Sequence, residues 1–276
     1  MSSIRLGLSP CPNDTFIFDA LLHQKIDTRG LKFEPVFADV EELNAMAFRA
    51  ELEVSKLSYH ALALLTKEYQ ILNSGGALGR GVGPLLIAKK ALSEAEIEQA
   101  RIAIPGKHTT ANFLLSLAYP AAQQKEAMLF SEIESAVLDG SVEAGLIIHE
   151  NRFTYQEKGL VKLMDLGEYW EEVSGSLIPL GGIAVKRSME PEMKTAIDQL
   201  IRESVAYAFK EPAASRDFVQ KHAQEMDVKV TQQHIDLYVN QYSLDLGQEG
   251  RKAVQTLFKQ AEAKQIIQKI TKPIFV

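Results

Sequence analysis

Apolar residues follow two rhythms along this chain. Short unbroken apolar runs alternate with stretches in which apolar positions recur every three to four residues. The first rhythm belongs to strands buried on both faces, the second to helices with one buried stripe. Ile4–Leu8, Leu31–Phe37 and Leu52–Leu57 read as strands. Thr15–Leu22, Val40–Ala50 and Ser58–Leu65 read as the helices that follow each. That β-α-β-α-β-α order argues for a mainly parallel sheet with helices on both faces.

A second series repeats the arrangement. Val82–Ala88, Arg101–Ile104 and Glu143–Ile148 are buried-strand runs, with a helix over Thr109–Tyr119. Ser93-Glu-Ala-Glu96 and Ser131-Glu-Ile-Glu134 carry capping-box spacing and predict helix starts. Leu177–Val185 is a strand carrying the chain back. Beyond Glu190 the pattern is helical: Met193–Phe209, Ala213–Ala223, Thr231–Tyr242 and Gly250–Ala263. The order predicts two lobes with a ligand cleft between them. Lobe one takes residues 1–88 and 184–276, with the strandless helical C-terminal region packed on it, and lobe two takes 89–183. The chain crosses near 84–90 and 178–185.

Composition narrows the function. A chain of 276 residues, 46% hydrophobic, buries a core without metals or disulfides. A net charge of −6 with no Lys/Arg cluster argues against nucleic acid as a partner. Cys11, the single cysteine, has no internal partner, which points to a reducing compartment. There is no signal-like apolar segment at the start and no run near the roughly 20 apolar residues of a membrane span, so a cytoplasmic protein is expected. Five glycines in Ser74–Gly83 mark either a flexible connection or a backbone that approaches a ligand; their spacing fits no phosphate loop.

In open parallel sheets, ligands sit beyond the carboxyl ends of strands. Four junctions place chemistry there: Ser9-Pro-Cys-Pro-Asn-Asp-Thr15, Lys56-Leu-Ser58, Pro105-Gly-Lys-His-Thr-Thr-Ala111 and His149-Glu-Asn-Arg152. Ser58 and Thr109/Thr110 fall at helix starts, either as N-caps serving their own backbone or as part of an anion site for a carboxylate or polyol. His149, at a strand tip, is either a satisfied structural histidine or a proton acceptor. His108 lies beside the Thr pair. His60 sits among Ala and Leu and reads as structural; His23, His222 and His234 read as surface or packing residues. Glu41-Glu42 and Glu171-Glu172 read as solvated helix faces. Metal-ligand spacing is absent, as is a Gly-x-Ser-x-Gly elbow, and Cys11 reads as a small buried hydrophobe or a residue exposed at the cleft.

Taken together, Ser9-Pro-Cys-Pro-Asn-Asp-Thr-Phe-Ile-Phe18, Lys56-Leu-Ser-Tyr59, Ser74–Pro84, Pro105–Ala111 and Gly145-Leu-Ile-Ile-His-Glu150 resemble the 1,4-dihydroxy-6-naphthoate synthase family of the futalosine route to menaquinone. The resemblance runs on through Tyr238-Val-Asn240 and Ser243-Leu-Asp245. It implies a fold like the type II periplasmic binding proteins. It implies substrate contacts from Lys56, Leu57 and Ser58 on one lobe and Thr110 and Ala111 on the other, with His149 as proton acceptor. Ser9, Cys11, Asn13, His108 and Arg152 are further candidates for lining the cleft. The implied substrate is cyclic dehypoxanthine futalosine, a small carboxylate, with no cofactor. Two other readings stand beside this lyase: a non-catalytic binding protein of the same fold, and a chorismate dehydratase of the same pathway. Oligomeric state is not legible.

Overall fold

The computed structural model describes residues 3–223 and 227–276. The first part of the chain runs β1 (Ile4–Leu8), α1 (Pro12–Leu22), β2 (Phe33–Phe37), α2 (Val40–Phe48), β3 (Val54–Ser58), α3 (Tyr59–Leu64), β4 (Tyr69–Ile71) and β5 (Ala77–Gly79). A second series follows: β6 (Leu85–Ala88), α4 (Glu94–Gln99), β7 (Ile102–Ile104), α5 (Thr110–Ala118), β8 (Lys125–Ala127), α6 (Ile133–Asp139) and β9 (Ala144–Ile147). It closes with α7 (Asn151–Thr154), β10 (Val161–Asp165) and α8 (Leu166–Ser174). The return comprises β11 (Ile178–Lys186), α9 (Pro191–Lys210), α10 (Arg216–His222), α11 (Val228–Tyr238), α12 (Gln241–Leu244) and α13 (Gly247–Ala263).

Two sheets organise these elements, in the orders β2-β1-β3-β11-β4, with β5 also on β11, and β10-β6-β9-β7-β8. Both are mixed rather than mainly parallel. β1 pairs in parallel with β2 and β3, and β7 with β8 and β9, whereas β11 and β6 run antiparallel to every partner. The reason is topological: β6 and β11 enter each sheet from the other half of the molecule instead of through a right-handed βαβ crossover.

By the lobe bounds read from the sequence, the apolar run Val82–Ala88 ends lobe one at 88 and Leu177–Val185 spans the bound at 183. A strand is laddered as a unit, so each falls wholly to one sheet: β6 to the second, β11 to the first. The passages between sheets therefore lie earlier, at 80–84 and 175–177. At the first, a Cβ on Gly83 would stand 2.3 Å from Gly167 Cα, so only glycine permits this close approach of backbones.

Local chemistry sets the element ends. Asp39 caps α2 by accepting from the amides of Glu41 and Glu42, and Ser93 and Glu96 form the predicted capping box of α4. The second predicted box does not form: a 3₁₀ turn at Phe130–Glu132 draws Ser131 into the helical run, and Glu132 becomes the cap position of α6 without a side-chain bond. Pro35, which cannot donate to a ladder, sits on the edge strand β2. α9 packs along α1, and α12 and α13 pack on β5 and β11, so the C-terminal helices cover the first sheet. That region adds one sheet contact, a parallel bridge from Phe275 to Ile71 at the sheet edge. Among the described residues, no helix is long and apolar enough to cross a membrane.

Candidate active site

The strand tips that carry the four sequence junctions converge on one gap between the two sheets. Lys56 and Ser58 end β3, Thr109–Ala111 open α5 after β7, and Ile148 and His149 follow β9. All of these line a cavity of about 90 Å³, together with Asn13 and with Tyr238 from α11. A larger cavity of about 460 Å³ lies under α10 and α11, lined by Phe16, Val219 and Ile235. Among the described residues it gathers no comparable set of titratable groups, so the smaller gap is the candidate site.

Lys56 is buried and gives its Nζ to Asp14 Oδ1 at 3.0 Å and to the Gly75 carbonyl at 3.5 Å. Asp14 is ringed by donors: Ser9 N at 3.0 Å, Ser9 Oγ at 2.9 Å and Asn13 Nδ2 at 2.9 Å besides the lysine. Ser58 exchanges two bonds with Asn44, its amide donating at 3.1 Å and its hydroxyl accepting at 3.3 Å. Leu57 differs: its side chain is fully buried in the core, and it is not among the described residues that line the gap.

Across the gap, Thr109 caps α5 by accepting from Asn112 N. Thr110 Oγ donates to the Leu180 carbonyl at 2.7 Å and accepts from His60 N at 3.3 Å. The His60 ring donates from Nδ1 to the Thr109 carbonyl at 3.3 Å, and burial lowers its pKa to about 4. His60 is thus a latch between the two halves rather than simple core packing. α3 is short and its second amide is taken by Thr110, which leaves anion attraction to the first turn of α5 and to Lys56.

His149 holds a left-handed backbone, φ +58°, uncommon for a residue other than glycine and frequent at sites under functional constraint. Its ring meets Phe130 edge-on at 4.9 Å and stacks on His234 at 5.8 Å with 20° between planes. Burial lowers its pKa to about 4, with Lys56 acting in the same direction, so the imidazole is neutral near pH 7. A neutral imidazole so placed has a lone pair with which it can accept a proton.

Of the further cleft candidates, Asn13 lines the gap, while four others lie around it. Ser9 spends its hydroxyl on Asp14. Cys11 is buried at the start of α1, and its thiol is held protonated by burial and by Glu150. Cys11, His149 and Glu150 bring donor atoms within 4.8 Å of one another. That thiol and the nearby Lys56 cation make the trio a poor metal site. His108 sits outside, its amide and Nδ1 bound to Glu41 at 3.1 and 3.0 Å. Arg152 binds the Gly83 carbonyl and Asp165 at the first passage between sheets. Two acids expected on solvated faces instead join the halves: Glu41 through His108, and Glu171 through Gly81 N at 2.8 Å and Arg80 at 3.3 Å. The glycine run itself is anchored, with Gly75 N donating to the Ser243 carbonyl at 2.7 Å and a strand forming at Ala77–Gly79.

As site residues, sequence reasoning missed Asp14, Asn44, Tyr238 and above all His234, read as a surface or packing residue, which is fully buried and stacked on His149. A signal existed: Thr231, His234, Ile235 and Tyr238 form the buried stripe of α11, so a histidine and a threonine occupy positions where apolar residues belong.

Comparisons with known proteins agree with this geometry. Residues 4–263 match a family model described as menaquinone biosynthesis. A curated relative from Thermus thermophilus is 47% identical over the full length of both chains. Another from Streptomyces coelicolor is 43% identical, covering 96% of this chain and 95% of its own; both are named 1,4-dihydroxy-6-naphthoate synthase. A crystal structure of an Archaeoglobus fulgidus protein superposes with a TM-score of 0.91 at 38% identity, covering 96% of this chain and 98% of that one. The ligand-binding component of a Staphylococcus aureus ABC-type import system has a TM-score of 0.70 at 16% identity, covering 100% and 96%. That likeness shows a fold of the periplasmic-binding-protein kind, shared by proteins of unrelated function.

Proposed function

The chain belongs to the menaquinone biosynthesis family, and from that premise we propose that it is a 1,4-dihydroxy-6-naphthoate synthase working as a carbon–carbon lyase on cyclic dehypoxanthine futalosine. The observation that carries the reading is His149, a neutral imidazole fixed at the tip of β9, facing a gap that also holds Lys56 and the start of α5. The aromatic carboxylate of the substrate meets the ammonium of Lys56 and the first-turn amides of α5. His149 removes a proton adjacent to a carbonyl, the carbon–carbon bond breaks, and aromatisation drives the step. The Ser58 hydroxyl, which accepts from Asn44 and keeps its own hydrogen to donate, stabilises the oxyanion that develops.

At about 90 Å³ the gap is smaller than the roughly 300–1,000 Å³ usual for a small-molecule site. The halves must part to admit a guest and then close over it, excluding water. The latches at His60–Thr110, Glu41–His108 and Glu171–Gly81 release and re-form in that cycle.

His149→Asn tests the assignment, because asparagine tolerates the left-handed backbone that alanine would strain. We expect kcat to fall by about 10²–10⁴, with KM and the circular dichroism spectrum preserved. Turnover within about tenfold of the parent removes His149 from the role. Failure of the parent protein to release naphthoate from the cyclic substrate rejects the lyase, and turnover of chorismate instead indicates the dehydratase.

A further inference from the structure

A serine at the start of a helix ordinarily spends its side chain on the helix's own first amides. Ser58 stands at that position before α3 and makes no such bond; the second amide of the helix, His60 N, is taken by Thr110. Asn44 holds the hydroxyl instead. It lies fully buried on α2, one turn beyond Val40, which lines the gap. The Ser58 amide can only donate, so Asn44 Oδ1 must face it, at 3.1 Å. The two hydrogens of Nδ2 then go to Ser58 Oγ at 3.3 Å and to Glu41 Oε2 at 3.2 Å. Turning the amide would set donor against donor at Ser58 and oxygen against carboxylate at Glu41.

Glu41 is itself fixed from the opposite half. It accepts from His108 N at 3.1 and 3.2 Å and from His108 Nδ1 at 3.0 Å. Gly106, at φ +149°, lies so close that a Cβ there would come within 2.5 Å of the carboxylate. The contacts thus run from the loop before α5 through Glu41 and Asn44 to Ser58, and end at the gap. A hydroxyl that accepts from Asn44 cannot turn its own hydrogen the same way. Among the described residues no acceptor takes that hydrogen, and Ser58 lines the gap.

We propose that Asn44 is a positioning residue for the reaction: it occupies the acceptor side of Ser58 Oγ and so commits the hydroxyl to donate into the gap. The site then favours an oxygen that gathers negative charge over a guest group that must itself donate. The proposal rests on the reading of Ser58 as a donor to the developing oxyanion.

The test is a double-variant cycle read as kcat and KM. Asn44→Asp keeps the volume and the acceptor for Ser58 N but replaces the donor by an oxygen, to which the Ser58 hydrogen turns. We expect kcat to fall by about tenfold or more, with KM within about threefold of the parent. In a Ser58→Ala background the same change should alter kcat by less than about twofold, because no hydroxyl is left to misdirect. Extra charge beside Glu41 or damaged packing would cost the same in both backgrounds. Equal losses, or no loss with Ser58 present, overturn the proposal.

If Asn44→Asp does not fold, Asn44→Ala decides by the same comparison. The hydroxyl is then free to rotate, and a loss of about threefold or more confined to the protein that retains Ser58 is required. Ser58→Ala alone reads the premise and should lower kcat by about 10²–10³. A kcat within about tenfold of the parent removes the hydroxyl from the reaction, and the role of Asn44 with it. A large loss in Ser58→Ala, beside equal losses from Asn44→Asp in both backgrounds, overturns the positioning role alone and leaves the lyase reading standing.

Discussion

Replacing Lys56 by methionine deletes the cation of a buried ion pair while keeping most of the side chain's volume. Asp14 is essentially unexposed and loses its partner at 3.0 Å. Breaking a buried pair from one side costs about 3–5 kcal/mol, since the remaining charge stays desolvated. Here three donors remain on the carboxylate, from Ser9 N, Ser9 Oγ and Asn13 Nδ2, which places the cost at the lower end, about 3 kcal/mol. For a chain of this size about 2–4 °C of melting temperature accompanies each kcal/mol, so Lys56→Met should melt about 6–12 °C lower. Thermal and urea unfolding followed by circular dichroism measure this directly. The charge argument makes a sharper claim about the double variant: Lys56→Met with Asp14→Asn recovers at least about 1 kcal/mol relative to the sum of the two single effects. A Lys56→Met protein melting within about 2 °C of the parent, or strict additivity, would refute the reasoning.

Two further outcomes follow from burial and from backbone contact. Burial lowers the pKa of His60 and His149 to about 4 and that of His234 below its ordinary value, while in the unfolded chain all three take up protons near 6.5. Between about pH 4 and 6.5 the unfolded state binds more protons, so stability rises with pH across that window and is lost as pH falls; a urea midpoint at pH 5 equal to or above that at pH 7 contradicts this. Gly83→Ala should cost about 1–3 kcal/mol or more, because the new methyl meets Gly167 backbone at 2.3 Å and no side chain can yield; an unchanged melting temperature would mean that the first passage between sheets is far more pliable than its geometry indicates.

Much of the site was legible because strand tips and helix starts are local features. The Ser9–Thr15, Lys56–Ser58, Thr109–Ala111 and His149 junctions each followed a readable apolar run, and strand-tip convergence in α/β proteins did the rest. What stayed hidden was side-chain pairing over long separations. His234 meets Asn13 across 221 positions of sequence, and Glu41 meets His108 across 67. Neither leaves a periodic trace. Short edge strands such as Lys125–Ala127, and Val161–Asp165, which grades from exposed at its start to buried at Asp165, were also missed, because a ladder on one side alone demands little apolar character.

By itself the sequence determined which segments are buried strands and which are amphipathic helices, the two-series order, and the positions where polar groups emerge at strand ends. Those follow from periodicity and capping, which act within a few residues. Tertiary structure alone decided which sheet each crossing strand joins, that both sheets are mixed, and that His234 meets Asn13. These depend on partners brought together only once the chain has crossed between the sheets and returned.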